Sequence, residues 1–362
     1  MAQSPRITAL IDTYNHERYI AEAIESVLAQ DFPPGEMEIV VVDDGSTDGT
    51  PEIARRYAGR VRYIRKENGG QASAFNAGIT EARGEFIAFL DADDVWLPRK
   101  IPRVVEEFER HPDAGTVFHP SQYWCPESGR CEDDHSFLAF CGYLPDSEDA
   151  MLRFGSVSTS WTSLRRSVAQ RILPLPESLK VFADSYLIGA AIFCAPVACV
   201  DEYLARYRQH SANLTFSVRP DPVRAHRSND SFRFAIAEMR RWLEKNGFLP
   251  STRAAALLLE RMALVEQLQR FVMRAPGRGE FLAHLRRYHR LYSPLWSPAY
   301  RAFDNLKAGA GFVLGYEGFY AAQRFYRRSL SLPRLRESLV PAMRRDFEGA
   351  AGTGRAETMG LR

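Results

Sequence analysis

Between residues 7 and 118 the chain alternates short β-branched runs with helical patterns, and that rhythm leaves few folds open. Residues 7–11, 38–42, 61–64, 85–90 and 115–118 predict strands. Between them, Ile20, Ala23, Ile24, Val27 and Leu28 recur at helical spacing, with Pro33 and Pro34 ending the run. Thr50-Pro51-Glu52 predicts a helix start with Thr50 as the cap. Residues 71–82, stopped by Gly84, and 97–110 predict two more helices. Strand–helix–strand units joined by short loops imply an α/β fold with mostly parallel strands and right-handed crossovers. Ligands in such sheets bind beyond the carboxyl ends of the strands. Two acidic segments follow strands directly, at Asp43-Asp44 and at Asp91–Asp94, so they are expected to converge on one edge.

The pattern changes further along. Residues 121–150 look like an irregular insertion, and strand and helix signals return over 156–210. Beyond about Asn213 the pattern is helical, over 232–245, 253–273, 279–291 and roughly 315–330. This implies a sheet domain over residues 1–215 and a largely helical extension over 216–362. Charge divides at the same place: the extension carries net +13 and the rest −11, within an overall +2. Arg286, Arg287, Arg290, Arg324, Arg327 and Arg328 lie among aromatic residues and leucines, a mixture suited to an anionic membrane surface. Packing on the catalytic domain or a homodimer would use such helices equally well. The extension has no compact nucleic-acid-binding motif, so no nucleic-acid partner is expected. No export signal or run of about 18 apolar residues is visible, which predicts a cytoplasmic protein, peripheral at most on the inner membrane face. The odd set of five cysteines fits reduced thiols, and no spacing supports zinc.

The acidic segments carry the chemistry. In residues 40–50, VVVDDGSTDGT, a strand delivers Asp43 and Asp44 into a Gly-rich turn. A carboxylate there can accept a pyrimidine N–H or a ribose hydroxyl, or it can simply cap the turn. In Phe89-Leu90-Asp91-Ala92-Asp93-Asp94, three carboxylates crowd into four residues. Like charges this close repel, and partial burial makes them costly. A hard divalent cation, Mg2+ or Mn2+, relieves that cost and can bridge to a diphosphate leaving group. A solvated acidic loop capping the next helix is the plainer alternative.

Taken together with Thr13-Tyr14-Asn15, residues 68–78 (NGGQASAFNAG) and Tyr207-Arg208-Gln209-His210, these segments resemble the family 2 glycosyltransferases of GT-A fold over roughly residues 5–215. The resemblance implies a nucleotide-sugar donor and an acceptor hydroxyl. It implies that Thr13, Tyr14 and Asp44, with Asp43 assisting, contact the nucleoside, and that Gln71 and Asn76 lie along the nucleotide. Asp91 would face the ribose or donor sugar, Asp93 would hold Mn2+ or Mg2+, and His210 would reach the metal or diphosphate. Inverting members use one carboxylate as the base, in a Glu-Asp pair ahead of a helix. Here that pair is Ala183-Asp184, which points to Asp184, with capping of a helix over 186–194 as its alternative role.

Two departures stand out. Asp12 occupies the position where the family usually has Pro, and the Gln-x-x-Arg-Trp signature of processive synthases is absent. The leading expectation is an inverting transferase, UDP-sugar dependent, that builds a surface polysaccharide or similar glycan on a glycan or lipid-linked acceptor. The alternatives are transfer to a polyprenyl phosphate, which needs no base, and an inactive nucleotide-binding module.

Overall fold

The computed structural model describes residues 4–133, 142–144, 146–148, 150, 158–210, 213, 222–273, 277–292, 309 and 313. The helix expected at 315–330, Arg324, Arg327, Arg328 and Cys141 lie outside them. By contacts the chain divides into two compact units, the first running, with short excursions, to Leu259 and the second continuing from Glu260.

The first unit is built on an eight-stranded sheet. Its strands are β1 (Ile7–Thr13), β2 (Met37–Asp43), β3 (Arg62–Arg65), β4 (Phe86–Asp91), β6 (Thr116–Phe118), β9 (Gly142–Leu144), β10 (Thr162–Arg165) and β11 (Val197–Cys199). Their order is β3-β2-β1-β4-β10-β6-β11-β9. The β3–β2–β1–β4 half is wholly parallel, as the alternation predicts, whereas β10 runs antiparallel to both β4 and β6. Every residue of β1 but Asp12 is buried, as suits a strand covered on both faces. On one face Ile7, Ala9 and Ile11 share a core with Ile20, Ile24 and Val27 of α1 (Ile20–Leu28) and with Val104 and Phe108 of α4 (Lys100–Arg110). On the other, Phe75 of α3 (Gln71–Glu81) meets Phe89 edge-on at 5.6 Å between centroids. Gly78 lets α3 approach β1: a Cβ there would lie 2.4 Å from Leu10 Cδ1.

The region expected to be irregular is partly ordered. Ser121–Cys125 (β7) and Arg130–Asp133 (β8) form a hairpin, and Ala205–Arg208 (β12) joins β7 to β5 (Val95–Trp96), giving a second sheet ordered β5-β12-β7-β8. Because Val95 and Trp96 are used as a strand, α4 begins at Lys100 rather than at residue 97. Helices α5 (Arg166–Ile172), α6 (Ala183–Cys194) and α7 (Pro222–Lys245) complete this unit together with the start of α8 (Arg253–Met273). The helix expected to open at residue 186 thus starts three residues earlier. Phe182 of the α6 entry stacks edge-on against Phe232 of α7, and Met239 and Leu258 close over Gly189 of α6.

The second unit contains the end of α8 and α9 (Arg278–Tyr292), where Phe271 and Phe281 form a small apolar cluster. Arg287 pairs with Glu260 at 2.8 Å. Among the described residues no helix is long and apolar enough to cross a membrane, and Cys125, Cys131, Cys194 and Cys199 are free thiols.

Candidate active site

The carboxyl ends of β1 and β2 lie side by side, with Thr13 opposite Asp43. Their loops are stitched together by polar side chains. Asn15, in the left-handed region at φ 57°, donates its N–H to Ser46 Oγ (2.9 Å) and accepts the Thr47 N–H on Oδ1 (2.8 Å). The His16 N–H bonds Thr50 Oγ1 at 2.9 Å, and the Glu17 N–H bonds Asp48 Oδ2 at 3.0 Å. Thr50 therefore does not cap its helix, α2 (Thr50–Arg55). Its hydroxyl serves the neighbouring loop, and Asp48 Oδ1 takes the Thr50 N–H instead.

The two carboxylates of this turn are engaged as well. Asp43 is fully buried; it accepts the Ser46 N–H at 2.7 Å and the Tyr63 hydroxyl. Asp44 accepts Lys66 Nζ at 2.8 Å and the N–H groups of Gly69 and Gly70 at 3.0 and 2.6 Å. Both carboxylates thus organise the loops after β2 and β3 directly. Thr13 is buried with its Oγ1 unpartnered, and Tyr14 is exposed. Asn76 is turned to the backbone of Leu175, bonding its N–H and its carbonyl at 2.7 and 2.9 Å. Gln71 Oε1 accepts the N–H of Ala183 at 3.0 Å.

The second acidic segment forms the centre of the site. Oxygens of Asp91, Asp93 and Asp94 lie within 4.8 Å of one another. Asp12 pairs with Asp91 across β1 and β4, so the departure from the family pattern puts a fourth carboxyl beside the cluster, its Oδ1 buried and unpartnered. Burial and then the charge of Asp93 push the Asp12 carboxyl up to about 7. Burial and mutual repulsion likewise raise Asp91 and Asp94 well above the ordinary carboxylate range. Asp93 goes the other way. Burial opposes its charge, but the His210 hydrogen bond and the nearby His16 imidazole outweigh it, and its pKa is lowered. His210 Nε2 lies 3.0 Å and His16 Nε2 4.0 Å from Asp93 Oδ2.

Asp94 is not a helix cap. It is buried, and its Oδ1 accepts the backbone N–H of Arg208 at 2.8 Å. The Arg208 guanidinium donates to the Asp93 carbonyl (2.6 Å) and to Glu22 (2.6 Å), and sits 4.4 Å from the ring centre of Trp124 and 5.0 Å from that of Tyr19. Lys100 is fully buried, donating to the Ser160 carbonyl at 2.7 Å above the Trp96 ring. Burial pulls its pKa well down, while Asp94 and Asp91 act to retain its charge. His16, Lys100 and Ser160 carry no local sequence signal for the site: each is brought in by a contact between distant segments. Asp12 had one, a charge at the end of an apolar strand.

Asp184 stands in the first turn of α6, half-buried, with Oδ1 accepting the Ser185 N–H at 2.7 Å. Burial raises its carboxyl to about 6. It is not the N-cap, since Phe182 holds that position at φ 65°. Its charge acts, as a lesser contribution, to raise Asp12 and Asp91.

Residues 8–130 match the family Glycosyl transferase family 2. This segment belongs to that family. A Nostoc sp. protein described as an uncharacterized glycosyltransferase is 35% identical over 217 residues, covering 58% of this chain and 66% of the relative. A putative glycosyltransferase of Bacillus subtilis, EpsH, is 35% identical, covering 59% and 63%. The chain thus spans just under two thirds of the length of these two curated relatives. Among solved structures, S. aureus TarS 1-349 aligns with a TM-score of 0.54 at 20% identity, covering 97% of this chain and 92% of that one. The mannosyltransferase PcManGT of Pyrobaculum calidifontis, solved with GDP-Man and Mn2+, aligns with a TM-score of 0.53 at 18% identity, covering 98% and 88%. The family 2 glycosyltransferase segment therefore lies within a GT-A fold, with helices toward the C-terminus.

Proposed function

We propose that the protein is an inverting glycosyltransferase that moves a sugar from a nucleoside diphosphate sugar, UDP-sugar first, to an acceptor hydroxyl. The observation that carries this reading is the crowding of Asp91, Asp93 and Asp94 at the end of β4, with Asp184 in the first turn of α6 as the candidate base. Neighbours of the same fold hold UDP or GDP-Man, which supports a nucleotide-sugar donor without choosing the base.

The donor set fits a divalent cation. Hard oxygens crowd together, Asp94 Oδ2 is buried and unpartnered, and the carboxyls are strained toward protonation in the absence of a positive charge. Asp93 and Asp91, with His210 at hand, would hold Mn2+ or Mg2+, and such an ion neutralises the departing diphosphate. The remaining work falls to protein groups. Asp184 takes the proton from the acceptor hydroxyl as its oxygen bonds to the anomeric carbon and the carbon–phosphate-oxygen bond breaks. A base with a pKa of about 6 is ionised at neutral pH and still a competent proton acceptor. Thr13, the last residue of β1, and Tyr14, just beyond it, would contact the nucleoside.

A lipid-linked or glycan acceptor, handled at the inner membrane face by the basic helices, completes the proposal. The decisive experiment is a donor screen by heat-shift with and without Mn2+, followed by product analysis for anomeric configuration. Stabilisation by one UDP-sugar only with metal, and an inverted product, are expected. Retention of configuration, or undiminished turnover in EDTA, would overturn the mechanism.

A further inference from the structure

The entry to α6 is held from outside the helix. Phe182, immediately before it, lies in the left-handed region, a conformation that non-glycine residues adopt at an energetic cost and that persists only where surroundings impose it. No side chain of the preceding segment caps the helix. The cap comes instead from the first residue of α3: Gln71 Oε1 accepts the Ala183 N–H at 3.0 Å. The arrangement is reciprocal. The first-turn donors of α3, Gln71 N–H and Ala72 N–H, go to the carbonyls of Lys180 and Leu179 at 3.1 and 3.2 Å. Lys180 Nζ returns to the Gly69 carbonyl at 2.5 Å, and Asn76 clasps Leu175 through both ends of its amide. Gly70 permits the approach, since a Cβ there would lie 2.7 Å from Lys180 Cα. On its other side the same loop hangs on Asp44 through the Gly69 and Gly70 N–H groups.

We infer that Gln71 is the positioning residue for Asp184: it fixes the first turn of α6 so that the carboxylate meets the acceptor hydroxyl, and it links that turn through residues 69–71 to the nucleotide-side loop. This rests on Asp184 being the base. The orphan N–H groups at the start of each helix find their acceptors in the other segment, so neither end is set alone. Ala183 is covalently next to Asp184, so releasing its N–H frees the strained Phe182–Ala183 link to relax and shifts the carboxylate. A displacement of about 1 Å at a reacting group can lower turnover by about 10²-fold.

The test is Gln71→Met, which keeps the length and removes the acceptor, beside Gln71→Glu, which keeps an acceptor oxygen. Gln71→Met is expected to lower kcat by about 10-fold or more while UDP affinity in Mn2+ stays within about 2-fold, and Gln71→Glu to recover most of the loss. Should Gln71→Met fail to fold, Gln71→Asn withdraws the oxygen by one methylene and answers the same comparison. Unchanged kcat in the variants lacking the contact refutes the inference. So does a loss of UDP affinity matching the loss of kcat, which would make Gln71 a nucleotide contact. Asp184→Asn, assayed in parallel, separates the two ideas: if it remains active the base assignment fails, and if it is inactive while Gln71→Met is not, only the positioning role fails.

Discussion

Replacing Asp184 with Asn should make the protein more stable and less active at once, and the two effects have one cause. Burial raises the Asp184 carboxyl from 3.8 to about 6. The folded state therefore holds the proton more tightly than the unfolded chain between about pH 4 and 6, and stability falls as pH rises through that window. A shift of about two units corresponds to roughly 3 kcal/mol at neutral pH as a ceiling. Partial exposure screens the carboxylate, which brings the figure to about 1–2 kcal/mol. Asparagine removes the charge and can still accept the Ser185 N–H, so the local turn is kept. In calorimetry at pH 8, Asp184→Asn is expected to melt about 1–3 °C above the wild type, with the gap closing below about pH 4. Turnover should fall by about 10²–10⁴-fold, and the wild-type kcat/KM should rise with pH along a limb centred near 6, where the base ionises. An equal or lower melting temperature at pH 8, or a limb near 6 that survives in Asp184→Asn, would show that the carboxylate is neither desolvated nor the base.

Asp93→Asn should abolish turnover and remove the Mn2+-dependent part of UDP binding, measured by calorimetric titration with and without EDTA. Arg208→Lys keeps the charge but loses the planar stacking between Trp124 and Tyr19, so a stability loss of about 1–3 kcal/mol in urea melts and a higher Mn2+ requirement are expected. Gly84→Ala should cost about 3 kcal/mol and Gly78→Ala about 1–2, because the new methyl meets the backbone of Ile7 and Thr8 in the first case and a movable Leu10 side chain in the second. Vesicles rich in anionic lipid should retain the full chain at low salt and release it as salt rises. A chain that stays in solution at low salt would leave the basic helices a packing or dimer role.

The part of the site legible in the sequence is the part that is local. Asp91, Asp93 and Asp94 follow a strand within four residues, and their convergence is visible from that run alone. The turn after β2 was legible as a turn but not in its details. Its Ser46, Thr47, Asp48 and Thr50 pair with the β1–α1 loop about 30 residues away, so a local reading turns Thr50 into a cap that it is not. The second sheet was missed for the same reason: β5 is two residues long, β7 buries a serine and leaves its Tyr and Trp half-buried, and β8 is exposed or half-buried and polar, so none shows an alternation that a window can detect. Lys100 and Arg208 look like ordinary surface cations in sequence; only the packing of distant segments buries them.

Those two buried basic side chains hold the acidic loop and its surroundings without pairing with Asp91 or Asp93. Lys100 donates to the Ser160 carbonyl, and Arg208 donates to the Asp93 carbonyl and to Glu22, outside the cluster. Arg208 acts to keep Asp94 charged, and apart from Glu22 the hydrogen bonds of the two side chains go to main-chain oxygens. Had either cation formed a direct pair with Asp91 or Asp93, an incoming metal would first have to displace it, and a buried ion pair broken in this way is costly. Holding the loop by its backbone keeps its shape while leaving carboxylate oxygens for an external cation. The raised carboxyls of Asp12, Asp91 and Asp94 are the counterpart of that arrangement: the fold stores unfavourable electrostatics that a divalent ion would relieve.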